Sequence, residues 1–372
     1  MITKKENLLQ VMRGEKPSWV PFVLYFSQWF FHHLDNGILP DELKGCETYV
    51  DAMKVLDCDI FTRSEASGCR EVDTAFERQE IIEEKPLGTC QTIRYETPFG
   101  TVQEVHQEQR AQTTWHDEEF LISDWEENGP AAMAVLEQTD FVWDEDVFEK
   151  SAREIGDDGI FNLPCWGTPL KWLHWKAGLQ DSVFLMMDNP TEIKKYCDLY
   201  WSKITPILKA MAEHPSVDSV ILMDNVDTPF YKSFANELWT PYVQDATSIL
   251  KEKGKFLWVH ACGQLAGLSE EFAKAKVSGL EGVSHPPLGD WSASEAQKCH
   301  PEFIFNGGFS AAEQRMEHDD EVRAFYKKYL KEVSKERFMF GASCNTAIST
   351  TWDRIKLVRD ICREWGGIPK TI

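Results

Sequence analysis

The run FLWVHACG at 256–263 begins apolar and ends on a histidine and a cysteine two positions apart. Side chains at i and i+2 of a strand project from the same face, so His260 and Cys262 would leave it together. Imidazole and thiolate are donors that zinc takes readily. Two donors are too few for a closed zinc site, and the ends of other apolar runs offer more. Cys344 follows one of them in FMFGASCNTA, and Glu281 lies within another, GLEGVSH. His260, Cys262, Glu281 and Cys344 would make a four-coordinate metal site. The carboxylate, as the weakest donor, is the one an incoming substrate atom would displace. His285, closing the Glu281 run, is the rival for the fourth place. Alone, each residue is better read as filler, a buried Cys as a small apolar group and a buried His as a satisfied core residue. Their placement at several run ends is what favours metal.

Other polar and aromatic residues follow such runs. MDNVDTP places Asp224, Asn225 and Asp227 after one of them. Asp224 is the candidate catalytic proton acceptor, and Asn225 and Asp227 are candidate substrate contacts; a turn or helix cap is the structural alternative. NLPCWGTPLKWLHW carries Trp166, Trp172 and Trp175, aromatics to wall a site, with Trp166 expected against a cofactor. Tyr25 and Gln28 leave the first run and are expected to touch substrate. The NGG at 306–308 is a weak anion-turn signal. Phosphate-loop, GxSxG and dinucleotide fingerprints are absent.

Eight short, nearly all-apolar runs carry these residues: WVPFVLYF, then runs at 57–63, 159–164, 218–224, 255–261, 280–285, 302–308 and 337–342. Such runs suit strands buried on both faces of a parallel sheet. Amphipathic segments separate the later ones, and the last, TTWDRIKLVRDICREWGG, has a Thr N-cap and a glycine stop. The pattern predicts an α/β fold, a (β/α)8 TIM barrel entered by an N-terminal helix, with the site on the rim formed by the strands' C-terminal ends. Residues 68–117 alternate polar and apolar around Pro86-Leu87-Gly88 and Pro98-Phe99-Gly100, which predicts a β-meander inserted after the second strand. The whole of 1–372 reads as a single barrel domain with this insertion.

Bulk composition bounds the function. A net charge of −22 would be repelled by nucleic acid and anionic membrane surfaces, so neither is expected as a partner. The ten cysteines are too widely scattered for a disulfide scaffold. With no apolar signal core or spanning run, a reducing cytoplasm is the expected location. A homodimer is allowed but not required.

The HACG run, the glutamate about a score of residues later and the second cysteine resemble zinc-dependent alkyl-transfer enzymes. Along the chain, KKENLLQVMRGEKPSWVPF, ETPFGT, the stretch from LMDNVDTP to HACGQL, FIFNGG and FMFGASCN resemble the uroporphyrinogen decarboxylase-like superfamily. Within it, the chain is most similar to the corrinoid methyltransferases, including those that methylate a thiol such as coenzyme M. That resemblance implies Zn²⁺ and a corrinoid, methylcobalamin, carried by a separate corrinoid-binding protein. It also implies a small-molecule methyl donor or thiol acceptor. The opposite direction, demethylating a methoxy or methylamine substrate, is the alternative, and a non-catalytic tetrapyrrole- or metabolite-binding barrel is a second. Porphyrinogen decarboxylation is disfavoured, because VPFVLYFSQWFFHHLDNG lacks the arginines that would hold a porphyrinogen's carboxylates.

Overall fold

The computed structural model describes residues 2–73, 76–110 and 114–368. Its centre is a seven-stranded parallel sheet in the order β1 (Ile60–Thr62), β8 (Gly159–Cys165), β9 (Ser219–Leu222), β10 (Phe256–His260), β11 (Gly279–Val283), β12 (Ile304–Phe309) and β13 (Phe338–Ala342). The expected first strand, 19–26, is not a regular strand. It makes a single parallel bridge, Phe22 to Phe340, and yet it bonds to both ends of the sheet order. Val23 N–H donates to the Phe340 carbonyl, Phe340 N–H to Pro21, and Asp59 N–H to Phe22. Pro21 has no N–H, so this segment cannot build a full ladder. The result is a curled, barrel-like sheet.

Between β1 and β8 lie β2 (Cys69–Asp73), β3 (Glu77–Lys85), β4 (Gly88–Thr97), β5 (Gly100–Gln109), β6 (Thr114–Glu119) and β7 (Thr139–Trp143). β3 to β6 form an antiparallel meander that turns at Pro86-Leu87 and Pro98-Phe99. The span expected to form the meander also held β2, which pairs instead with the distant β7.

Helices cover the sheet where periodicity placed them. Lys4–Arg13 has Thr3 as its N-cap and ends at Gly14, whose φ of 75° is a left-handed conformation that favours glycine. Pro190–Glu213, Thr240–Glu252, Asp319–Tyr329 and Trp352–Gly366 follow, the last capped by the Thr351 hydroxyl. Among the described residues no helix is long and apolar enough to cross a membrane.

Strand periodicity explains where the interior turns polar. Val23, Phe61, Ile160, Ile221, Trp258, Ile304 and Met339 pack together inside the sheet, with Leu8, Val11 and Met12 of the first helix. Two residues further along each strand, on the same face, stand Tyr25, Arg63, Asn162, Met223, His260, Asn306 and Gly341. Gly279 makes room for Trp258, because a Cβ there would fall 2.6 Å from its ring, and two residues beyond it stands Glu281. An apolar layer is therefore followed by a largely polar one at the strands' C-terminal ends.

Candidate metal centre

His260 ends β10 and faces Glu281 across the β10–β11 pair. Both side chains are buried. The imidazole Nδ1 bonds Glu281 Oε2. Arg63, just past β1, places its Nε 3.3 Å from the same oxygen and a terminal nitrogen 3.5 Å from Nδ1. Its guanidinium carbon lies 4.4 Å from the centre of the Tyr25 ring. Burial alone would raise the Glu281 pKa, but Arg63 and His260 hold it down at about 2. Burial would likewise lower His260, and the Glu281 charge outweighs it and raises the imidazole.

Cys262 and Cys344 complete the cluster. One ligand atom from each of His260, Cys262 and Cys344 lies within 4.8 Å of the others. A tetrahedral zinc with ~2.3 Å bonds needs its donors about 3.5–4 Å apart, so a small contraction would close the site. The two thiols share a hydrogen bond, which favours ionised Cys344 and pushes Cys262 up, with burial adding to the rise. One histidine and two sulfurs, one of them already disposed to ionise, fit zinc as a donor set.

The approach of these groups depends on Gly282. Its φ is 98°, at an irregularity in the β11–β12 register. A Cβ there would lie 2.9 Å from both the Ala261 and Ser343 carbonyl oxygens and 3.3 Å from the His260 ring. Without a side chain, the segment after β13 closes over β11 and brings Cys344 to His260. Ser343 N–H donates to the Phe309 carbonyl and fixes that approach.

Other expectations fare differently. His285, the rival fourth ligand, is turned away: its Nε2 meets Glu313 Oε1 at 2.9 Å and its ring packs on Phe325 and Tyr329. Asp224, expected as the catalytic group, is spent as a brace. Its Oδ1 accepts from Thr168 N–H at 2.6 Å and its Oδ2 from Trp239 Nε1 at 2.7 Å. Burial, against those bonds, raises its pKa to about 6. Asp227 also braces: it accepts from Gln264 N–H at 2.8 Å, and Thr228 N–H bonds the Gln264 carbonyl, so the loop bearing Cys262 is tied to the end of β9. Asn225 and Gln28 are exposed, and Asn225 has a φ of 51°. Trp166 packs edge-on against Phe141 of β7, with ring centres 5.1 Å apart. Tyr25 does reach the site, through Arg63. Arg63 itself carried no expectation; its signal was its position two residues after the inward-facing Phe61.

Fold and cluster together define the class: an α/β protein with a curled parallel sheet and a His-Cys-Cys group at the ends of its strands. The uroporphyrinogen decarboxylase family model matches residues 176–365, just over half of the chain, and the protein belongs to that family. Comparison with curated protein sequences gives no match. Among solved structures, a methyltransferase from Methanosarcina mazei is similar over 98% of this chain and 99% of its own, with 13% identity and a TM-score of 0.59. A B12-independent methionine synthase from Shewanella sp. W3-18-1 aligns over 94% of each chain, with 10% identity and a TM-score of 0.45.

Proposed function

We propose that this protein is a zinc-dependent methyltransferase that moves a methyl group between a corrinoid on a partner protein and a small thiol. The observation that carries the reading is the convergence of His260, Cys262 and Cys344 at the strand ends of a uroporphyrinogen decarboxylase-family fold. The similarity in fold to a methyltransferase supports it. In this reading His260, Cys262 and Cys344 hold the metal, and Glu281, which bonds the imidazole and Arg63 and lies outside that three-residue cluster, is the candidate fourth ligand that would yield to substrate. Bound there, zinc would keep a substrate thiol ionised at neutral pH, where a free thiol with a pKa near 8.5 is mostly protonated.

The chain's own residues do the rest. Glu281 orients the imidazole, and Arg63 takes up the carboxylate's charge whenever it is not spent on the metal. Asp224 and Asp227 hold the loops after β8 and β10 in place. Zinc held by His260, Cys262 and Cys344 would present the substrate sulfur as a thiolate, its proton lost to water, and a corrinoid on the partner would supply the methyl group. The absence of arginine from 20–37 argues against porphyrinogen carboxylates as ligands. The chain would work as one domain in a reducing cytoplasm.

Metal analysis and single turnover test this together. The purified protein should carry about one zinc per chain, and Cys262→Ala and Cys344→Ala should lose it while staying folded by circular dichroism. Methylcobalamin mixed with the protein and a thiol should lose its cobalt–methyl absorbance; cob(I)alamin with methoxy or methylamine donors tests the reverse direction. Absence of stoichiometric zinc in the wild type, or zinc retained at the wild-type level by either variant, would overturn the assignment.

A further inference from the structure

The meander leaves one edge bare. β3 (Glu77–Lys85) is its outermost strand and, among the described residues, pairs only with β4. All nine of its residues are exposed, with Ile81 at 43% and Ile82 at 64%. Long edge strands are usually blunted by a proline, a bulge, a covering element or charge. ERQEIIEEK has no proline, its register with β4 is unbroken, and it lies open to solvent. Its charges, the remaining device, are of both signs. Lys85 and Gly88 flank the two-residue turn at Pro86-Leu87 and so form a hydrogen-bonded pair. By alternation the odd-numbered residues bond to β4, and Arg78, Glu80, Ile82 and Glu84 aim their backbone N–H and C=O groups outward.

The side chains of β3 are complementary to their own reverse. Set antiparallel to a second β3 about a two-fold axis at Ile81, the strand pairs Glu77 with Lys85, Arg78 with Glu84, Gln79 with Glu83 and Ile81 with itself. Glu80 faces Ile82, and its carboxylate is already held by Gln91 at 2.5 Å and Arg78 at 3.0 Å. Arg78 has donors enough to bridge Glu80 and the second copy's Glu84. The neighbouring registers lose this match. An axis at Glu80 sets Glu77 against Glu83, and one at Ile82 sets Glu80 against Glu84; like charges directly opposite are destabilising. The axis at Ile81 also places outward-facing residues opposite one another, so their backbone groups can exchange hydrogen bonds.

We propose that two copies of this chain associate through β3, joining their meanders into one continuous antiparallel sheet. The occupant of the bare edge is a second copy because the edge matches itself, in charge and in register, at its centre and at both ends. A contact of this size is a weak, specific interface, so the dimer forms at about micromolar concentrations and loosens as salt rises. No residue of β3 belongs to the metal cluster, so the association stands or falls apart from the methyl-transfer reading.

Sedimentation velocity of the full chain over a concentration series tests this, and the wild type should pass from monomer to dimer. Ile82→Pro removes an outward N–H and spares the β4 ladder, so it should keep the far-ultraviolet circular dichroism and abolish the dimer. Glu77→Lys and Lys85→Glu should each weaken association about tenfold, and the double variant should recover it. Across the axis the two copies of residue 81 have Cα atoms about 4.5 Å apart, so Ile81→Cys should cross-link on mild oxidation. Gln79→Cys lies about 14 Å from its own copy and should not. A chain that stays monomeric throughout, a dimer that survives Ile82→Pro and the single charge reversals, or cross-linking by Gln79→Cys in place of Ile81→Cys overturns the proposal.

Discussion

His260 and Glu281 stand opposite each other across the β10–β11 pair, and the carboxylate that grips the imidazole Nδ1 also pairs with Arg63. One buried carboxylate thus serves two basic groups. Replacing it with glutamine keeps the shape and removes the charge. Glu281→Gln should cost about 3 kcal/mol or more in urea unfolding, because the Arg63 guanidinium stays buried with no counter-charge. Zinc affinity should fall roughly 10–100-fold, measured by competition with a chromophoric chelator. An unchanged unfolding midpoint would show that Arg63 finds water or another partner.

Gly282 decides whether the ligands meet. Gly282→Ala forces a Cβ against two carbonyl oxygens at a φ of 98°. The expected cost is about 2 kcal/mol, with the segment after β13 displaced. The variant should keep its far-ultraviolet circular dichroism and lose stoichiometric zinc. Full metal retention would mean that the strands separate without moving Cys344.

His285 separates the two candidates for the fourth ligand. It is bonded to Glu313, whose other oxygen accepts from Ser310 N–H and Oγ at the start of the helix Ala311–Gln314. His285→Asn should keep full zinc and lose about 1–3 kcal/mol of stability, as a buried carboxylate oxygen loses its partner. A fall in zinc content would return His285 to the metal shell.

Asp224 predicts a pH dependence of stability. Its folded pKa of about 6 lies above the unfolded value of 3.8. The folded state therefore holds the proton more tightly, and the stability this contributes is complete below pH 3.8. It is lost as the pH rises through about 6, and amounts to roughly 3 kcal/mol. Unfolding free energies of wild type and Asp224→Asn, compared between pH 4 and 7, should show the wild type losing ground as the pH rises. Parallel curves would mean that the carboxylate is ionised throughout.

The sequence by itself determined the strand ends and what they carry. Alternation put Trp258 and His260 on one face, and the apolar character of Leu257 to Val259 marked a strand buried on both sides. The same logic found Cys344 and Glu281, and the capping residues found the helices. All of this follows from periods of two and 3.6 residues, which a chain displays locally. Tertiary structure alone decided who pairs with whom. β2 left the meander for β7, Pro21 reduced the first strand to a bridge, and Asp224 gave its charge to Thr168 and Trp239, far from it in sequence. Glu281 came to rest between His260 and Arg63, and His285 turned to Glu313, because each pairing needs strand or helix ends that lie far apart along the chain. The sequence can name the donors; only the packed sheet, closing over Gly282, sets their distances.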